Sequence, residues 1–138
     1  VSDLVDPTKK MNKSDETGKG VICLTDTPEE ASKKIMSAAT DSLGDVQYDY
    51  SKRPGISNLL DILKYLGGNP QEFINQKQYG PLKSAVADKV SIFLSDFQRK
   101  LAEVNQKDID AKLAKSAEAM RTQANQILLK VQRTVGLR

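Results

Sequence analysis

A chain of 138 residues, 28% charged and 38% hydrophobic, is long enough for one modest domain with a real core, and no apolar run approaches the ~20 residues that span a bilayer. It contains no histidine and one cysteine, Cys23, which excludes His-based general-base chemistry, Ser-His-Asp triads, His or CxxC metal sites and an internal disulfide framework, and favours a reducing, cytoplasmic setting. The net charge of +3 is uneven: residues 1–50 carry six Lys/Arg against ten Asp/Glu, and residues 51–138 carry fifteen against eight.

The start, Val1-Ser2-Asp3, lacks the basic flank and apolar stretch of a signal peptide. It also lacks an initiator Met, from which a truncated chain is expected. Residues 1–27 read as irregular and polar, with one apolar run, Val21-Ile22-Cys23-Leu24, that suits either a short strand or a buried loop anchor. Gly18 and Gly20 beside it suggest a flexible approach. Thr27-Pro28-Glu29-Glu30 starts a helix: Thr27 caps, Pro28 suits the first position and Glu30 completes a capping box. This helix is expected to run to about Thr40, with Ile35, Met36 and Ala39 inward. Residues 41–53 read as a loop in which Asp41 and Asp49 are turn or cap residues; its Tyr48 and Tyr50, like Tyr79 further on, are expected to pack with their hydroxyls wet.

Pro54 opens a second helix with Ile56, Leu59, Leu60, Leu63 and Leu66 at helical spacing, and Gly67-Gly68 ends it. Asn69-Pro70-Gln71-Glu72 restarts a short one. Gly80-Pro81 opens a long helix whose Leu82, Val86, Val90, Phe93, Phe97, Leu101 and Val104 follow steps of four and three. Asn105-Gln106 is the expected break, with Asp108 the next cap. The last helix repeats the rhythm through Leu113, Ala117, Met120, Ala124, Ile127, Val131 and Val135. The fold class is therefore all-α: a helical bundle with two long antiparallel helices and two or three shorter ones, preceded by an irregular loop segment. The organisation expected is residues 1–27 as a loop segment and connector and 28–138 as a helical domain.

A second stripe runs along the last helix. Lys112, Lys115, Gln123, Gln126, Lys130 and Arg133 fall within roughly 80° of one another at 100° per residue. The bland reading is a solvated bundle edge. The functional one is a row of phosphate and polar contacts to RNA.

The run Asp6-Pro7-Thr8-Lys9-Lys10-Met11-Asn12-Lys13-Ser14-Asp15-Glu16 resembles the lysine-methionine-serine-lysine-serine loop of class I aminoacyl-tRNA synthetases. Lys33-Lys34-Ile35, Ala38-Ala39-Thr40-Asp41-Ser42, Tyr48-Asp49 and Arg53-Pro54-Gly55-Ile56-Ser57-Asn58-Leu59-Leu60 follow in an order and spacing similar to bacterial-type tryptophanyl-tRNA synthetases. The Arg53–Leu60 block fits that family better than the related tyrosyl enzymes. One departure is Asn12, where the family loop usually has serine.

The resemblance implies that the chain is the C-terminal portion of a tryptophan–tRNA ligase, which charges tRNA with tryptophan through an aminoacyl-adenylate. Lys13 and Lys10 would be the catalytic pair. Lys10, Met11, Asn12, Lys13 and Ser14 would bind ATP, with magnesium, in the intact enzyme. The helices would hold the anticodon stem-loop of tryptophan tRNA. The histidine-containing signature and Rossmann half of the family are not in this chain, so the fragment is expected to be inactive alone and to bind no cofactor tightly. ATP and tryptophan would be its partners only together with the missing half. No resident metal site and no membrane partner are expected. The intact enzyme would be a homodimer and the fragment a monomer, with the loop among its most mobile parts. The alternative is a stand-alone, non-catalytic helical module that binds tRNA or protein.

Overall fold

A computed structural model describes residues 1–15 and 17–137. Glu16, which closes the loop run, and Arg138, which ends the basic tail, lie outside the described residues. Four α-helices and no strand are present among these residues: α1 (Pro28–Ser37), α2 (Pro54–Tyr65), α3 (Gly80–Ala102) and α4 (Gln106–Thr134), with a single 3-10 turn at Pro70–Glu72 between α2 and α3. The all-α reading holds. The chain divides into two compact units, Val1–Arg99 and Lys100–Arg138.

In the first unit α2 is the central element. Gly55 through Leu60 are all buried, so this helix is covered nearly all round rather than along one stripe. Around it the core gathers Leu4 from the leader, Ala31, Ile35 and Ala38 from α1 and its end, Val46 from the loop, and Leu82, Val86, Ala87, Val90 and Leu94 from α3. The terminus of α2 is a Schellman motif: Gly67 takes φ +75°, its N–H donates to Lys64 O at 3.0 Å, and Gly68 N–H donates to Leu63 O at 2.8 Å.

The start of α1 follows the sequence closely. Glu30 N–H donates to Thr27 Oγ1 at 3.2 Å and Thr27 N–H donates to Glu30 Oε2 at 2.9 Å, the reciprocal pair of a capping box. Its end does not follow the sequence. The helix stops at Ser37, and its inner face is Ala31, Ile35 and Ala38, while Met36 is 45% exposed. Lys83 on α3 explains the early stop, because its ammonium donates to Met36 O at 3.1 Å and Ala38 O at 2.8 Å, satisfying carbonyls that end the helix.

Two further readings are corrected. On α3 the buried seam is Leu82, Val86, Ala87, Val90 and Leu94; Phe93 is 45% exposed and Phe97 half-buried, their rings stacked at 6.3 Å. Leu101 and Val104 are exposed as well. The cap of α4 is Asn105, whose side chain accepts from Lys107 N–H at 2.9 Å, so Asp108 sits in the first turn instead. The second unit is α4 with its flanks. It ends in a second Schellman motif at Gly136, φ +76°, and none of its described residues is buried, including the expected seam of Leu113, Met120 and Ile127.

Candidate functional site

The leader is tied to the core before the lysine loop begins. Ser2 N–H donates to Asn58 Oδ1 at 2.8 Å and Asn58 Nδ2 donates back to Ser2 O at 3.0 Å. Leu4 N–H reaches Gly20 O at 2.9 Å, and Ala39 N–H reaches Leu4 O at 2.7 Å. Leu4 is thus paired on one side with the far end of the loop and on the other with the end of α1. Val21 is buried and Leu24 exposed, with no strand, so this run is a loop anchor. Gly20 is buried, and a Cβ there would collide with the Asp3 carboxylate. Its role is close packing rather than swing; of these two glycines it is Gly18, at φ +63°, that uses glycine's freedom.

Between these ties lie the candidate site residues. Lys10 faces Ser2 in one antiparallel bridge and is exposed. Met11 donates its N–H to Val1 O at 3.3 Å, and its side chain packs half-buried against the core. Asn12, Lys13 and Ser14 are exposed. Asn12 Oδ1 accepts from Ser14 N–H at 3.1 Å, and Asn12 O accepts from Asp15 N–H at 3.1 Å, so Asn12 opens an Asx turn that lifts Lys13 to the outside. A serine there would make the same bond more weakly, which reconciles this departure with the loop's shape. Asp15 closes the loop: its carboxylate accepts from Gly20 N–H at 3.0 Å, Thr17 N–H at 3.0 Å and Thr17 Oγ1 at 2.9 Å. These bonds, the one from Gly20 foremost, hold its carboxyl below the usual range.

The loop therefore presents two lysines on a framed turn, with one apolar side chain inward. Such a turn can bring point charges to a phosphate. On α4 the six stripe residues Lys112, Lys115, Gln123, Gln126, Lys130 and Arg133 are all exposed on their helix. The structure gives α4 and the lysine loop to different units.

Next to the loop, the Thr40-Asp41 and Arg53–Gly55 blocks come together. Arg53 Nη1 donates to Asp45 Oδ1 and to Asp45 O, both at 2.6 Å, with both side chains largely covered. The guanidinium holds the Asp45 carboxyl low, and the carboxylate holds Arg53 high. Gly55 lies so close to Ala39 that a Cβ would stand 2.2 Å from its carbonyl oxygen. Thr40, Asp41, Arg53 and Gly55 line a small shared cleft of about 190 Å³. Asp41 Oδ1 accepts from Leu43 N–H at 2.9 Å and from the Tyr79 hydroxyl, while Asp41 Oδ2 is buried without a partner among the described residues.

The tyrosine hydroxyls are not left to solvent. Tyr79 donates to Asp41 and accepts from Gly44 N–H at 3.0 Å. Tyr48 and Tyr50 both donate to Asp61, at 3.2 Å and 2.7 Å. Burial first, then Asp61, pushes both phenols up. Sequence reasoning missed this cluster, because its carboxylate lies 13 and 11 residues away with no local signature. It also missed Asn58, although a polar pair, Ser57-Asn58, inside an apolar helix is a readable signal.

Among the described residues no helix is long and apolar enough to cross a membrane, and no group of three His, Cys, Asp or Glu side chains could hold a metal ion.

The family model for tRNA synthetases class I (W and Y) matches residues 1–95. A tryptophan–tRNA ligase of Malacoplasma penetrans is 42% identical over 99% of this chain and 42% of its own length. One from Bacillus subtilis is 38% identical over 99% of the chain and 43% of its own length. The crystal structure of the tryptophanyl-tRNA synthetase from Mycoplasma pneumoniae superposes with a TM-score of 0.87 at 30% identity, covering all of this chain and 44% of that one. The chain thus spans less than half the length of the relatives it matches.

Proposed function

Because the chain belongs to the class I tRNA synthetases (W and Y), we propose that it is the C-terminal portion of a cytoplasmic tryptophan–tRNA ligase. In this reading residues 1–27 are the ATP loop and its connector, and residues 28–138 are the helical region that holds the anticodon stem-loop of tryptophan tRNA. The antiparallel pairing of α3 with α4, the tRNA role of the α4 stripe and the homodimer of the intact enzyme belong to the same proposal.

The reaction follows from the charges. The tryptophan carboxylate attacks the α-phosphorus of ATP, the bond to the bridging oxygen breaks, and pyrophosphate leaves with the electron pair. The aminoacyl group then passes to a hydroxyl of the terminal tRNA ribose, releasing AMP. Negative charge grows on the departing pyrophosphate, so a cation held there favours the transition state over the ground state. Lys13 supplies that cation, standing on the outside of the Asx turn. Lys10, three residues earlier and bridged to Ser2, supports the loop or the phosphates. Ser14 offers a hydrogen bond, and Met11 anchors the loop on the core. Magnesium would arrive with ATP in the intact enzyme. The described residues offer it no carboxylate cluster, so no step is assigned to it.

The observation that carries the reading is the loop itself: two exposed lysines on a framed turn, Met11 inward, at the start of a segment matched by the family. The test is ATP–pyrophosphate exchange with tryptophan. This chain alone is expected to give none, because the Rossmann half supplies the amino-acid pocket and the histidine signature. Turnover by the isolated chain, or an upstream gene sequence without that half, would overturn the reading. A genuine start codon at Val1 would instead favour the non-catalytic module.

A further inference from the structure

Four tyrosines and three phenylalanines are all the aromatic residues of this chain. One of the tyrosines, Tyr48, lines an open groove of about 480 Å³ together with Leu60, Asp61, Lys64, Gln71 and Ile74 among others, and Tyr50 packs against its ring. This volume lies within the range of roughly 300–1,000 Å³ that small ligands occupy. Tyr48 is 56% exposed and Tyr50 41%, yet neither ring is loose. Both hydroxyls are bound by the Asp61 carboxylate, and the rings meet edge to face at 5.6 Å and 88°. With the hydroxyls engaged, what Tyr48 offers outward is its ring. An aromatic ring fixed in advance loses little entropy on receiving a partner.

We propose that this groove receives an unpaired nucleobase of RNA, stacked on Tyr48, with the Gln71 amide at the base edge and the Lys64 ammonium at the adjoining phosphate. The inference rests on the tRNA reading above and gives its unpaired-base contact a location. The groove's chemistry fits that ligand on each side. Stacking on an aromatic face is the usual way unpaired bases are held, and it tolerates any base. An amide both donates and accepts, as a base edge requires. Leu60 and Ile74 form the apolar wall against which a flat ring is buried. Asp61, the one acid of the lining named here, accepts two hydroxyl donors, so part of its charge is already spent. Residues 51–138 hold fifteen Lys/Arg against eight Asp/Glu, which draws a polyanion toward this half.

The test uses this chain with two fluorescein-labelled RNAs: a hairpin bearing the anticodon loop of tryptophan tRNA, and the same stem as a blunt duplex without the loop. Binding is read by anisotropy. Tyr48→Leu is expected to weaken the hairpin about tenfold, about 1.4 kcal/mol, and to leave the duplex unchanged. Tyr48→Phe keeps the ring and is expected to stay within about twofold of wild type. A hairpin with 2-aminopurine in its loop adds a readout that needs no variant: stacking quenches its fluorescence on binding. Hairpin binding with no quenching at any loop position, or with Tyr48→Leu equal to wild type, overturns the groove while the tRNA reading stands. Wild type that binds neither RNA overturns both.

Discussion

Asn58 and Ser2, 56 residues apart, exchange two hydrogen bonds through a side-chain amide that imitates a paired peptide. Asn58 is only 1% exposed on the most buried helix of the chain, so the bonds cannot be passed to water. The first turn of the leader, and through it the framed lysine loop, is thereby registered on α2. Asn58→Ala leaves a peptide N–H and C=O of Ser2 unpaired in a covered place. The expected loss is about 1–3 kcal/mol, read as a lower urea midpoint. Asn58→Asp keeps the acceptor but, ionised at neutral pH, loses the donor and puts a charge where the side chain is 1% exposed, so it should lose at least as much as Asn58→Ala. Amide exchange at Met11, whose N–H is bonded to Val1 O, should quicken in both variants. Unchanged exchange there would show that the loop is registered elsewhere.

The approach of Gly55 to Ala39 gives a second expectation. The Cβ of Gly55→Ala would sit 2.2 Å from a backbone oxygen, which cannot rotate away as a side chain could. Either the start of α2 or the end of α1 must move. A loss of about 1–3 kcal/mol is expected in the urea midpoint, the usual range for overpacking, although alanine is the better helix former. A neutral or stabilising Gly55→Ala would mean that the two segments are not in contact.

What was legible in the sequence was what short-range chemistry decides. Thr27 through Glu30 encode both halves of a capping box within four residues, and Gly67-Gly68 encode the end of α2 by the one conformation glycine permits freely. The loop residues Lys10–Ser14 were legible as a string. Their framing was not, because besides nearby Gly20 it is made by Asn58 and Ala39 from distant parts of the chain. The seam of α3 failed for a different reason. Phe93 and Leu94 are adjacent and both apolar, so a step of three and a step of four from Val90 are equally good patterns, and only packing chooses Leu94. The end of α1 failed because Lys83, 45 residues beyond Ala38, supplies the cap.

Acid sensitivity should be set by three carboxylates of the leader and the loop. Asp6 is held at about 2 by hydrogen bonds from Thr8 and Lys9; Asp15 is held low by Gly20 and Thr17, and Asp45 by Arg53. In each the folded pKa lies below the unfolded value of about 3.9, so the stabilisation is complete above that value and is lost as pH falls through the folded pKa. Unfolding midpoints should therefore be flat from pH 7 to about 5 and decline between about 4 and 2. Asp15→Asn should start lower and decline less across the same window. A midpoint that declines already between pH 7 and 5 would point to groups other than these.

The Asx turn at Asn12 sets the final expectation, which rests on the ligase reading. If Lys13 meets the departing pyrophosphate only when the loop closes, its loss should act on the chemical step and not on folding. In the intact ligase, Lys13→Ala should lower kcat for tryptophan-dependent ATP–pyrophosphate exchange by about 10²–10³-fold, the range for removing one preorganised transition-state contact. KM for ATP should move less than kcat, because a contact made only in the transition state leaves ground-state binding alone. Asn12→Ser retains a side-chain acceptor for Ser14 N–H and should stay near wild type, whereas Asn12→Ala removes it and should fall in between. Equal effects of Lys13→Ala on kcat and of Asn12→Ala on KM alone would assign the turn to ATP binding rather than to placing Lys13. Because both side chains are exposed, the unfolding free energies of all three variants should match wild type to within about 0.5 kcal/mol, so a kinetic loss here is not a folding loss.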